Sequence, residues 1–363
     1  MRFVHIADTH LDSAFNFLTD KADMGYIRRM DQRNAIKRMI NYIKENDVPY
    51  LFISGDLYEH SSIKESTIEY INKLFKQIPN TKIFITPGNH DPLIKNSYYN
   101  LYNWADNVKI FDSKLTKIEE EEFYLYGFGF DNFTMNSNEL NKIIISDKSK
   151  VNILITHASL DGSKDQNQYN PITTRELNDL DFDYVALGHI HKRNLEYNDQ
   201  KIVYPGSTCS LGFDELGEHG MVVGEITKKN GEVKRNIQFM KLDDKEFVRE
   251  ECMTDEMNSL EDLADFINSK EYEDNKLYEL ILTGGRNFEI SNYRLGRLIN
   301  KDNVVKIKDK TKISIDLEKI SNDSSLKGIF IKKMLEKLEQ EEYDKEIIEK
   351  AIEYGLQSLE GKN

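Results

Sequence analysis

Cysteine is almost absent from this chain: its 363 residues hold only Cys209 and Cys252, which have no metal-ligand spacing and form no framework. That excludes a disulfide-stapled scaffold and makes a reducing, cytoplasmic compartment the default. No apolar run approaches the roughly twenty residues that a bilayer needs, so no membrane span is expected. The segment before Phe17 carries Arg2, His5, Asp8, His10 and Asp12, too polar for a signal peptide. Basic excess is lacking too, with a formal net charge of -14. Splitting the chain at residue 240 gives 28 basic and 34 acidic residues before it and 21 and 29 after it. Neither part is a generally basic nucleic-acid-binding module. A local metal cluster could still invert the field where a phosphate must sit.

What is present is an ordinary folding composition, 39% hydrophobic with 10% aromatic, and a repeated pattern. The stretch Ile83 to Asp91 reads IFITPGNHD: a short strand buried on both faces, a turn forced by Pro87 and Gly88, then Asn89, His90 and Asp91. The same arrangement recurs. Residues 2–7 predict a strand ending in Asp8, Thr9 and His10, and Tyr50 to Ser54 one ending in Gly55 and Asp56. Val151 to Thr156 delivers His157, and Tyr184 to Leu187 delivers Gly188, His189, Ile190 and His191. Helices are expected between the early strands, over Ile27 to Glu45 with a stripe of Ile27, Met30, Ile36, Met39, Ile40 and Ile43, and over Ile63 to Phe75. Shorter elements follow: a helix over Ser97 to Trp104, a strand at Val108 to Phe111, and a helix from Thr173 and Thr174 to Leu180. The apolar stretch Phe123 to Phe130 reads as packing.

This alternation predicts an α/β fold with a two-layered β-sheet core flanked by helices, its polar clusters at the carboxyl ends of strands where such sheets place ligands. Lys201 to Tyr204, Gly220 to Ile226 and Glu232 to Met240 read as strands of the second sheet, the last two joined by a hairpin turn at Lys229-Asn230-Gly231. The domain of residues 1–240 is followed by a charged link, a small α+β capping domain over 245–320 that ends in one or two strands from Val304 to Ile315, and a helical segment over 321–363. Leu326 to Leu338 and Glu346 to Leu359 each carry more apolar surface than a lone hairpin can bury. They either fold back on their own domain or dock a partner.

Five of the chain's eight histidines lie at strand ends among the aspartates. One buried histidine is usually a satisfied core residue; repeated Asp and His at consecutive strand ends are not explained that way. Two divalent cations about 3.5–4 Å apart want this mixture, with imidazole, carboxylate and amide oxygen around a shared anionic bridge.

Asp8-Thr9-His10, Gly55-Asp56, Gly88-Asn89-His90-Asp91, His157 and Gly188-His189-Ile190-His191 resemble, in order, the five signature motifs of the calcineurin-like metallophosphoesterases. Within that family the chain is similar to the DNA-repair nuclease branch of the Mre11 and SbcD type. ALGHIHK, YPGSTCSLGFDE from Tyr204 to Glu215 and the capping extension carry this, and HIADTHLDSAF and the tail from Leu326 to Gly361 resemble a YhaO-like bacterial subgroup. The resemblance implies Asp8, His10 and His191 on a first metal, Asn89, His157 and His189 on a second, and Asp56 bridging them. His90 would be the general acid toward the leaving 3′ oxygen, oriented by Asp91. Where relatives carry histidine or aspartate three residues after the bridging aspartate, this chain has Glu59, with His60 behind it; either could take a secondary role in shaping exonuclease activity, and the plainer reading makes both surface residues of a turn.

The implied activity is metal-dependent hydrolysis of DNA, a 3′-to-5′ exonuclease with endonuclease action as a second mode, with Mn²⁺ as the metal. A Rad50/SbcC-like coiled-coil ATPase would be the partner and a homodimer the assembly. The alternatives are a phosphodiesterase or phosphatase for a small nucleotide, and a non-catalytic scaffold at DNA ends. The capping domain speaks against the first, and the full set of ligand positions against the second.

Overall fold

Alternation within the first strand sets the layering of the molecule. In β1 (Arg2–Ile6), Val4 and Ile6 point to one side and Phe3 to the other, each into a separate hydrophobic cluster. The computed structural model of the chain describes residues 1–15, 23–136, 139–162, 169–196, 199–313, 317–338, 340 and 344–359. By contact it divides into two units, Met1–Arg249 with Glu273–Glu279, and Glu250–Tyr272 with Leu280–Asn363.

In the first unit β1 is followed by α1 (Met24–Glu45), β2 (Tyr50–Ser54), α2 (Glu65–Phe75), β3 (Lys82–Thr86), α3 (Tyr98–Leu101) and β4 (Val108–Ile110). Then come β5 (Thr116–Glu119), β6 (Phe123–Gly127), β7 (Val151–His157), β8 (Ser159–Leu160) and β9 (Pro171–Ile172). The unit continues through α4 (Thr174–Asp179), β10 (Tyr184–Gly188), β11 (Ile202–Val203), β12 (Gly220–Lys229) and β13 (Glu232–Lys241). A six-stranded sheet runs β13-β12-β1-β2-β3-β4 and a five-stranded one β11-β10-β7-β6-β5. One cluster, with Phe3, Phe52, Phe84, Phe123, Ile153 and Tyr184, draws on both sheets and forms the layer between them. A second puts Ile36, Met39, Ile40, Ile68 and Ile71 of α1 and α2 under the first sheet, and a third packs Leu177 of α4 and its neighbours on the second. The expected two-layered core flanked by helices is what forms. At α4, Thr173 and Glu176 close a capping box.

Two expectations need correction. The strands β12 and β13 join the first sheet, not the second. β12 runs antiparallel to β1 with Phe3 opposite Gly224, so it extends the open edge of β1 while Val222 and Ile226 still face the inter-sheet layer. In α1 the buried face of the first turns is Arg28 and Gln32, while Ile27 is 40% exposed. Both polar residues hold loops: Gln32 donates to the carbonyls of Thr9 and His10, and Arg28 pairs with Asp243 at 2.6 Å and donates to the Ser210 carbonyl.

The second unit contains helices Leu260–Ser269, Asn292–Leu298, Leu326–Leu338 and Lys345–Leu359. Glu246–Met253 is a strand where a charged link was expected, and with Lys276–Thr283 and Val304–Asp309 it makes a three-stranded sheet. The residues expected to be strand at 314–315, and Gly361, lie outside the described residues. Ile331, Ile348, Ile352 and Leu356 are buried in the seam of the two last helices, so these helices do pack on each other.

Between the sheets His5 ties β1 to both layers, its Nδ1 3.0 Å from the Tyr184 hydroxyl and its Nε2 2.9 Å from Ser54 Oγ. Burial pulls this imidazole down from 6.5 to about 3, so it is neutral in the folded protein. A group depressed in this way stabilises fully above its unfolded value, and the stability is lost as pH falls from 6.5 toward 3. His5→Leu should lower the unfolding free energy at neutral pH by about 2 kcal/mol, because Ser54 and Tyr184 lose a buried partner. It should also flatten the acid side of the stability curve by about 1.4 kcal/mol per pH unit. Urea denaturation of both proteins at neutral pH and near pH 5 checks this; equal slopes would mean that His5 is not held neutral.

Candidate metal centre

Parallel pairing brings the polar clusters to one side of each sheet. β1, β2 and β3 are parallel neighbours, with Ile6 opposite Ile53 and Ser54 opposite Thr86, and β10 pairs parallel to β7 with Gly188 opposite His157. The carboxyl ends of all five strands therefore carry Asp8 and His10, Asp56, Asn89, His157, and His189 and His191. The turns are tight and strained. Asp8, His10, Asp56 and His189 have φ of 51°, 44°, 53° and 104°, a left-handed conformation costly for residues with side chains and concentrated here. Close approach explains two motif glycines. A Cβ on Gly88 would lie 2.2 Å from Asp56 Oδ1, and one on Gly188 would lie 1.9 Å from the Ser54 carbonyl oxygen.

The Asp56 carboxylate sits at the centre, 1% exposed. Its Oδ1 accepts from the His90 backbone N–H at 2.8 Å. Its Oδ2 lies 3.3 Å from His157 Nε2 and 3.5 Å from His10 Nε2. Asp8 accepts from the His189 N–H with both oxygens, at 2.9 and 3.1 Å. His10 and His191 bring their Nε2 atoms within 3.2 Å of each other, and His157 Nε2 lies 3.0 Å from Asn89 Oδ1. Donor atoms of Asp8, His10 and His191, of Asp8, Asp56 and His157, and of His10, Asp56 and His90 each gather within 4.8 Å of one another. Electron-pair donors that converge this closely need a shared cation or shared protons. His189 is outside those three groups; its ring lies against those of His157 and Tyr169, with centroids 5.2 Å away in each case.

The titration of the cluster has the same cause. Burial pushes Asp56 up, but the imidazoles of His157 and His10 hold it well below the usual carboxylate range. Burial lowers His157, and the Asp56 and Asp8 carboxylates outweigh it and bring it to about 9. His191 is lowered by burial and raised by Glu215 and Asp8, also to about 9. Burial, with the charge of His157, holds His189 down to about 4.

The Asp91 carboxylate is taken up by the turns around it. Buried, it accepts from the backbone N–H groups of Gly88 (2.6 Å), Leu57 (2.6 Å) and Asp56 (3.1 Å) and from the Tyr99 hydroxyl (2.6 Å). It clamps the β2 and β3 turns together, so any hold on the His90 ring acts through the backbone. Glu59 faces that ring instead: its Oε2 is 2.9 Å from His90 Nδ1 and 3.4 Å from His10 Nδ1. Expected as a surface residue, Glu59 is only 22% exposed at its side chain, and its hydrogen bond raises the His90 pKa. His60 lies against Phe133, with ring centroids 5.9 Å apart. The position three residues after Asp56 was the available signal for Glu59. Tyr99 had none, because its role exists only once α3 packs beside the turn.

The sequence pattern of calcineurin-like phosphoesterases matches residues 1–193, more than half of the chain. The chain belongs to that family. Over 250 residues this phosphoesterase is 28% identical to the uncharacterized metallophosphoesterase YhaO of Bacillus subtilis, covering 66% of this chain and 60% of the relative. It is 27% identical to SbcD, a component of the nuclease SbcCD of Staphylococcus epidermidis, over 60% of this chain and 64% of the relative. To the DNA double-strand break repair protein Mre11 of Methanocaldococcus jannaschii it is 32% identical, over 60% of this chain and 59% of the relative. The chain thus spans less than two thirds of the length of each of these relatives.

The close packing of the phosphoesterase turns gives a test. Gly88→Ala should destabilise the protein by about 1–3 kcal/mol, because the Asp56 carboxylate and backbone occupy the Cβ position. Gly296→Ala, in a helix where a Cβ meets nothing within 4 Å, should be neutral or stabilising by up to about 1 kcal/mol. Thermal unfolding of the two variants decides; an unchanged melting temperature for Gly88→Ala would refute the packing argument.

Proposed function

We propose that the chain hydrolyses phosphodiester bonds at DNA ends, as a 3′-to-5′ exonuclease, with two divalent cations, Mn²⁺ the working choice. The observation that carries this reading is the buried Asp56 carboxylate with imidazoles from both sheets against one oxygen. The donor set fits the cations. Asp8, His10 and His191 would hold one, Asn89, His157 and His189 the other, and Asp56 both, with carboxylate, imidazole and amide donors that suit Mn²⁺, Fe²⁺ or Zn²⁺. Bound there, the cations would supply Lewis-acid charge for the phosphoryl oxygens and bring the pKa of water toward neutrality.

The protein's own groups do the rest. His90 is the general acid: its ring is 44% exposed at the mouth of the site, and Glu59 at its Nδ1 leaves Nε2 free to deliver a proton to the leaving oxygen. Asp91 keeps the His90 backbone in place through Gly88 and Leu57. DNA as substrate is supported by similarity to relatives named as part of a nuclease and as a double-strand break repair protein.

The same reading assigns residues 1–240 to the nuclease domain, 245–320 to a cap that engages the duplex, and 321–363 to docking on a Rad50/SbcC-like coiled-coil ATPase. Leu326, Ile347 and Tyr354 are 64–70% exposed on the last two helices while the seam between them is filled, which leaves an apolar surface for a partner. Leu101 on α3, 68% exposed, supports a homodimer contact there. Among the described residues no helix is long and apolar enough to cross a membrane, and the site of action is taken as cytoplasmic.

End-labelled DNA in Mn²⁺ tests the roles. His90→Ala should retain metal and lose about 10²–10⁴-fold in cleavage rate, whereas Asn89→Ala should weaken metal binding itself. Cleavage by His90→Ala at the wild-type rate would remove its assignment as acid. If wild type cleaves a short synthetic phosphodiester but no DNA, even with the cognate ATPase, the substrate is a small nucleotide and the DNA reading fails.

A further inference from the structure

The loop between β11 and β12 reaches back to the centre. Ser207 donates its backbone N–H to the His191 carbonyl at 3.0 Å, and a Cβ on Gly206 would lie 2.6 Å from that same oxygen, so the loop is pressed on the His191 backbone. From this loop Glu215 places Oε1 2.5 Å from His191 Nδ1. Its other oxygen, Oε2, accepts from Ser207 Oγ at 2.8 Å and from the Leu211 backbone N–H at 3.0 Å. The side chain is 14% exposed. His219 closes the cluster from behind, its Nδ1 2.8 Å from Ser207 Oγ and its Nε2 3.1 Å from the Glu215 carbonyl.

We infer that Glu215 is a positioning residue that fixes the tautomer of His191, keeping its proton on Nδ1 and the lone pair of Nε2 aimed at the cation site. The inference rests on the proposal that His191 holds a cation. Of the two neutral tautomers, a carboxylate acceptor at Nδ1 admits only the Nδ1–H form, and the Nε2 of that form faces His10 Nε2, 3.2 Å away, as a donor of electrons and not of a proton. The Leu211 backbone N–H is a fixed donor to the far oxygen of Glu215, and the Ser207 hydroxyl bonds there as well. Glu215 also adds a negative charge behind His191, as Glu59 does behind His10.

The fixed Leu211 donor makes the test directional. In Glu215→Gln the Leu211 N–H requires the amide oxygen on its side, which turns the amide NH₂ toward His191 Nδ1. That amide donates, so the proton of His191 moves to Nε2 and blocks the cation. Glu215→Ala leaves His191 free to choose. The expected order is therefore inverted from that of a packing role: the isosteric glutamine should weaken Mn²⁺ at one of two sites by about 10–100-fold, and alanine by less. Isothermal titration of the whole chain with Mn²⁺ measures this. Nitrogen NMR of the metal-free protein at about pH 10, above the value of about 9 at which the His191 imidazolium loses a proton, with the His191 signal assigned from His191→Gln, should place the remaining proton on Nδ1 in wild type and on Nε2 in Glu215→Gln. An unchanged tautomer in Glu215→Gln, or a loss of affinity larger for alanine than for glutamine, overturns the inference. If wild type binds no Mn²⁺, the metal reading fails and the NMR comparison alone decides the role of Glu215.

Discussion

A carboxylate buried between two sheets has to be neutralised, and Asp56 is where this fold meets that demand. At 1% exposure it cannot be solvated, and an isolated ionised carboxylate there would be far too costly to keep. Its turn is strained at φ 53°, and the neighbouring Gly88 leaves no room for a Cβ. The surroundings answer with a backbone N–H on one oxygen and imidazoles from β7 and from the end of β1 on the other. A fold that assembles such a group from five strand ends has given up stability locally, and the tight register of parallel strands, with Asp91 clamping two turns, holds the arrangement.

The core of this was legible in the sequence because strand ends are local. Asp8, His10, Asp56, Asn89, His157, His189 and His191 each follow a buried apolar run, so periodicity alone places them at carboxyl ends, and parallel α/β topology collects such ends on one side. What could not be read is non-local. The stretches that became β12 and β13 look the same whichever sheet they join; only the free edge of β1 decides. Arg28 and Gln32 break the apolar stripe of α1 because their partners are carbonyls of distant loops. Asp91 follows His90 in sequence, yet its carboxylate points into the turn, while Glu59 arrives from the preceding strand to take the position at the imidazole.

The acidic chain and the proposed polyanionic substrate are reconciled by scale. A net charge of -14 is spread over the surface and screened beyond about 8–10 Å in physiological salt. The field that a phosphodiester would meet at the centre is set by the groups in contact with it, and two dications there would outweigh the two carboxylates that would hold them, Asp8 and Asp56.

The imidazoles of the site are oriented by two kinds of acceptor. His157 ends a strand in the interior, and a neighbouring strand supplies the acceptor for its Nδ1, the Ser54 carbonyl at 2.9 Å. His90 and His191 stand in turns and are more exposed, and each meets a carboxylate brought by a separate segment, Glu59 and Glu215. A backbone acceptor is supplied by the fold itself, so His157 needs no further residue beyond its strand. The carboxylate acceptors are side chains, and their charge acts on the ring as well as orienting it. These turns are therefore where substitutions tune proton position and metal affinity without disturbing the sheets, and the interior is where the geometry is set.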